Sequence, residues 1–134
     1  MTSSSDPEAP VTIDDLTRAA RQVEIERQWQ QFHDPKNLAM ALVSEAGEVA
    51  ALLRWVPNDQ ADALLKDEEQ RARFRDEIGD VGICLLLLCA RTGIALEDAV
   101  LEKLARVGQK YPTALSVGRA EPPRTGMGER GELG

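Results

Sequence analysis

Aromatic side chains are scarce in this chain. Two Trp, two Phe and one Tyr are all that 134 residues carry. A core must therefore come from aliphatic residues, and each Trp stands out as a possible special contact. There is one histidine, His33. That excludes a di-iron carboxylate bundle, whose Glu-x-x-His motifs each need a histidine, and it disfavours zinc. The two cysteines, Cys84 and Cys89, lack C-x-x-C spacing, so neither a redox motif nor a disulfide scaffold is indicated. Both lie in an apolar run and read as buried free thiols. That run, residues 81–90, is the longest of its kind and falls short of the roughly 20 residues that cross a bilayer. Positive charge is in the minority: the net charge is −7. A chain this acidic has no basic face for nucleic-acid polymers. The opening "MTSSSDPEAP" has neither the basic start nor the apolar stretch of a signal peptide. The expectation is a soluble, cytoplasmic protein with no membrane or nucleic-acid-polymer partner.

What is present favours helix. Leu and Ala dominate, with frequent Glu, Arg and Gln, all good helix formers. No stretch alternates with the two-residue period of a strand. Residues 1–11 read as a flexible arm. Thr12 and Asp15 form a capping-box pattern, predicting a first helix to about Gln31 with Ile13, Leu16, Ala20, Val23 and the stem of Arg27 on one face. Pro35 breaks the pattern. A second helix is predicted from Lys36 or Asn37, burying Leu38, Ala41, Leu42, Ala46, Val49, Leu52 and Leu53, until Pro57 and Asn58 end it. A helical turn is expected at 61–65. A third helix runs from 67–70 to about Thr92, with Gly93 as its stop. A fourth opens at "LEDA" and ends before Pro112. The Gly-, Pro- and charge-rich stretch 116–134 reads as a flexible tail. The fold class expected is all-α: one domain over 12–115, an antiparallel bundle of about four helices.

Two pairs of acids stand apart. Glu45 and Glu48 sit three residues apart on the second predicted helix, and Glu77 and Asp80 likewise on the third, so each pair shares a face. Spacing alone is uninformative: with 23 acids in 134 residues, chance places roughly four such pairs, and about four exist. Context separates these two. Their strings, "EAGEVAALL" and "EIGDVGICLLLL", both read E-x-G-[ED]-V and then turn apolar. Each keeps a Gly between its acids, at a cost of about 1 kcal/mol in a helix, which predicts close approach of a second helix or a ligand. If the two helices pair antiparallel, four carboxylates converge. Two like charges about 4 Å apart repel by about 4 kcal/mol at an effective dielectric of 20, so protons or a cation must relieve them. An all-oxygen set suits Mg²⁺, with Mn²⁺ as substitute, and through it a phosphorylated substrate. The alternative is a solvent-facing arrangement paired with Arg54, Arg73 or Arg75.

"RQWQQFHDPKNLAMALVSEAGEVAALLRW", "DEIGDV" and "EKLARVGQKYP" together resemble the MazG-like all-α nucleoside triphosphate pyrophosphohydrolases, most nearly the dCTP pyrophosphatase-like branch, over roughly residues 12–115. The E-x-x-E and E-x-x-D signature matches Glu45, Glu48, Glu77 and Asp80. The resemblance implies a Mg²⁺-dependent homodimer or homotetramer that cleaves the α–β phosphoanhydride of a nucleoside triphosphate and cleans the nucleotide pool. It implies those four acids as metal ligands, with Glu48 or Glu45 activating water. Trp29 and Trp55 match the base-stacking tryptophans, and His33, Lys36, Asn37, Lys103 and Lys110 are the remaining candidate substrate contacts. Arg54 is a further phosphate candidate. Departures from the branch occur at Ala20, Cys84 and Val107, where its members carry His, Tyr and Asn. The expected substrate is a pyrimidine such as dCTP, with base and sugar left open. The alternative function is a non-catalytic nucleotide- or metal-binding bundle.

Overall fold

The computed structural model describes residues 11–119. The expected N-terminal arm and most of the expected tail lie outside them. Among the described residues there are helices and no strand, as expected, but six helices rather than about four. They are α1 (Ile13–Glu26), α2 (Pro35–Leu53), α3 (Ala61–Leu64), α4 (Glu68–Thr92), α5 (Leu96–Lys110) and α6 (Thr113–Ser116), with 3₁₀ turns at Trp29–Phe32 and Asn58–Gln60. The four long helices are those that hydrophobic periodicity predicts. α3 is the helical turn expected at 61–65, and α6 is a single turn, too short for periodicity to reveal. The chain divides into two compact units, residues 1–96 and 97–134.

Caps set the helix starts. Thr12 Oγ1 accepts from the Asp15 amide at 3.1 Å while the Asp15 carboxylate accepts from the Thr12 amide at 2.9 Å, closing the capping box. Those bonds, that from the Thr12 backbone foremost, hold the Asp15 carboxyl below its ordinary range. Asp34 caps α2 by accepting from the Asn37 amide at 2.9 Å, and Pro35 occupies the first helical position, where a missing N–H costs nothing. The helix thus starts earlier than the proline alone implies. Asp67 caps α4, which ends at Gly93 in the left-handed region at φ 69°, a conformation that glycine adopts without strain.

α1 ends sooner than predicted. The chain leaves it at Arg27, Gln28 takes a left-handed φ of 55°, and residues 29–32 form a 3₁₀ turn. Its inward face also differs. Ile13, Thr17, Ala20 and Glu24 turn inward, and Glu24 is buried, while Leu16 and Val23 are nearly half exposed. The sequence stripe was drawn through the apolar residues, and an acid lies in the true one.

α2 packs antiparallel on α4, and α1 also lies against α4. Leu38 and Leu87 are the two buried apolar side chains among the described residues. Leu42, Val49, Leu52 and Leu53 are half-buried, while Ala46 is exposed. Cys84 and Cys89 are free thiols, but half-buried rather than fully buried. Met40, Val43 and Ile78 point outward at 50–69% exposure. Gly47 and Gly79 correct one half of an expectation, the close approach of a second helix: a Cβ at either would meet nothing within 4 Å. Both are exposed, and no described helix approaches them. No single helix of the described residues is long and apolar enough to cross a membrane.

Candidate metal centre and adjoining pocket

The α2–α4 pairing brings acids together. Oxygen atoms of Glu45, Glu77 and Asp80 lie within 4.8 Å of one another, on half-buried side chains. α2 supplies the first and α4 the other two, one turn apart, because residues three apart on a helix face the same way. The Glu77 carboxyl is pushed above its ordinary range, first by loss of solvent, then by the charges of Asp80, Glu48, Glu45 and Asp76. The geometry thus assembles three of the four expected acids. Glu48 is exposed and outside that group, although its charge reaches Glu77. None of the four carries an ion pair among the described residues; the pairs there are Arg18–Asp15, Arg27–Glu26 and His33–Glu24. The arginine-paired alternative is therefore not what forms. Half-buried carboxylates that repel one another without a basic neighbour fit a hard divalent cation.

One turn away lies a pocket of about 220 Å³. Ala41 of α2 is four residues before Glu45, and Cys84 of α4 four after Asp80, so each helix carries an acid and a pocket wall on one face. The Cys84 thiol is pushed up first by loss of solvent and then by the Glu45 and Asp80 charges. α1 contributes Ala20, Val23 and Glu24, and the 3₁₀ segment contributes Trp29 and His33. His33 Nδ1 lies 2.5 Å from Glu24 Oε2, and its ring meets that of Trp29 edge-on at 6.2 Å. Arg27 stacks over Trp29 at 5.6 Å.

The other expected contacts are dispersed. Asn37 Nδ2 donates to the Phe32 carbonyl at 3.0 Å, which secures the bend before α2. Lys36 is exposed at the start of α2. Trp55 is 85% exposed with Arg54 over its ring at 5.5 Å, outside the pocket that holds Trp29. In the second unit Lys103 and Lys110 line one groove with Arg106, Val107 and Tyr111. Ala20 and Cys84, two of the three departures from the branch, share the pocket with Trp29.

Comparison with known proteins agrees with this architecture. A crystal structure of a pyrophosphatase from Archaeoglobus fulgidus superposes with a TM-score of 0.71 at 29% identity, over 80% of this chain and 98% of that one. Bovine dCTP pyrophosphatase 1 is 38% identical over 117 residues, 87% of this chain and 67% of the bovine protein. The rat protein of that name is 36% identical over 127 residues, 92% and 75% of the two chains. This chain belongs to the MazG-like dCTP pyrophosphatase family. It spans about two thirds of the length of the dCTP pyrophosphatases it matches. No family model matches the chain. The dCTP pyrophosphatase resemblance read from the sequence is thus borne out. Glu24 is the site-lining residue that sequence reading missed, and its signal was an acid four residues from Ala20 on an otherwise inward face.

Proposed function

We propose that the chain is a Mg²⁺-dependent nucleoside triphosphate pyrophosphohydrolase that converts a pyrimidine deoxynucleotide such as dCTP to its monophosphate and pyrophosphate. The observation that carries this is the convergence of Glu45, Glu77 and Asp80 beside an apolar pocket in a chain of the dCTP pyrophosphatase family. Those three acids would hold Mg²⁺, or Mn²⁺ in its place, with Glu48 beside them. The bound metal would neutralise phosphate charge and stabilise charge that develops at the α–β linkage. Glu48, exposed and free of ion pairs, is the proposed residue that orients or deprotonates the attacking water, with Glu45 second. Trp29 offers its face to the base, and His33 lines the same pocket. Lys36, Asn37, Lys103 and Lys110 remain proposed contacts of the phosphates and sugar, and Trp55 of the base.

The protein is proposed to work as a homodimer or homotetramer. Two buried apolar side chains are a small core for the described residues, while Met40 and Val43 stand open on α2, and Leu101 and Leu104 on α5. Exposed apolar faces on this scale mark association. Two free thiols suit a reducing compartment, and the proposed place of action is the cytoplasm. The net charge of −7 argues for free nucleotides over polymers as substrates.

Product analysis tests the function. Purified protein with a panel of nucleoside triphosphates should release pyrophosphate and monophosphate in Mg²⁺ and nothing in chelator. Inorganic phosphate with nucleoside diphosphate would refute the cleavage position.

A further inference from the structure

Glu24 is the one charged side chain that is buried among the described residues. It lines the apolar pocket beside the acidic cluster. Sinking a carboxylate into such a wall is costly unless its oxygens find donors. Only one does so: Oε2 is held by His33 Nδ1, and no described residue donates to Oε1. Oε1 thus keeps acceptor capacity, on a side chain shared between this largely apolar pocket and a second cavity of about 320 Å³ that Arg21, Gln30 and Arg91 also line, and a polar group on an otherwise apolar wall orients a ligand.

From this geometry we infer that the Glu24–His33 pair reads the base, and selects one with an amino group on its Watson–Crick edge. The inference rests on the nucleotide reading above. The pocket lies one helical turn, about 6 Å, from the acids along both α2 and α4, so phosphates at the cluster leave the base facing Glu24. An ionised carboxylate only accepts hydrogen bonds. It accepts from the 4-amino group of cytosine, whereas the 4-oxo group of uracil or thymine would meet its lone pairs. His33 Nδ1 holds Oε2, which fixes where the carboxylate points. Glu24 and His33 are therefore specificity-determining residues, separate from the acids that act on the phosphates.

The test compares kcat/KM of wild type, Glu24→Gln and Glu24→Ala on dCTP, dUTP and the 2-pyrimidinone deoxynucleoside triphosphate, which lacks the amino group. Glu24→Gln presents a donor to an oxo base, so its dCTP-to-dUTP ratio should fall at least about tenfold, the scale of one good base contact. Wild type should use the 2-pyrimidinone about tenfold less well than dCTP, and Glu24→Ala should use the two alike. A ratio within twofold of wild type in Glu24→Gln overturns the inference. Equal losses on every nucleotide would make the pair a structural latch only, which also overturns it. If the variants fail to fold, the 2-pyrimidinone comparison on wild type decides alone. Should wild type release no pyrophosphate at all, the proposed reaction fails, and calorimetric binding of dCMP against dUMP still tests the base reader. Equal affinity there overturns it.

Discussion

Leu38→Ala measures how much of this chain's stability rests on the α2–α4 contact. Leu38 is 2% exposed, at the start of α2, and touches both the interhelical contact and the pocket. Truncating a buried leucine to alanine costs roughly 2–5 kcal/mol, more where the surroundings cannot close on the space. Here one side already faces a cavity of about 220 Å³, so fewer contacts are lost and the cost falls near the low end, about 2–3 kcal/mol. A domain of about 100 residues loses roughly 4–8 °C of Tm per kcal/mol, which gives a fall of about 10–20 °C. Met40 is the control: two residues along α2, on the opposite face, and 64% exposed, its truncation should cost under about 0.5 kcal/mol in a dilute monomer. Thermal melts by circular dichroism, at two protein concentrations, read both variants. A Tm fall below about 4 °C for Leu38→Ala with unchanged helicity would refute the reasoning, since the best-buried apolar side chain would then carry little energy. A loss in Met40→Ala that grows with protein concentration would locate an interface between copies on that face.

Three further outcomes are expected. Glu45→Gln and Asp80→Asn should each abolish turnover, and the Tm rise that Mg²⁺ gives wild type should vanish with it; unchanged turnover in either would remove that acid from the site. Without metal, Glu77, held above its ordinary carboxyl range by lost solvent and by Asp80, binds its proton more readily folded than unfolded. Stability should therefore fall as pH rises from the ordinary carboxylate range through the raised value. Glu77→Gln should flatten that slope in pH-dependent melts, and a parallel slope would show that repulsion there is already relieved. Asp34→Ala removes the cap that accepts from the Asn37 amide at 2.9 Å and should cost about 1 kcal/mol, read as a shift of the urea midpoint without a change in slope.

The sequence by itself determined the helical class, the cap at Thr12, the start of α4 near Asp67, the stop at Gly93, and the two acidic pairs. These are local matters: a cap, a breaker or a shared helix face depends on residues three or four apart, and those are visible in one dimension. It also carried the family through strings that keep their order. Tertiary structure alone decided the rest. Which face of α1 turns inward depended on what α4 offered, so Glu24 is buried and Leu16 is not. The end of α1 at Arg27 and the left-handed Gln28 set His33 against an acid nine residues earlier, a contact no local pattern encodes. Helical spacing could put Glu45 and Glu48 on one face, yet packing drew in Glu45 with Glu77 and Asp80 and left Glu48 exposed. Convergence between helices is fixed by their register, and register is set by the fit of side chains such as Leu38 and Leu87 across the gap.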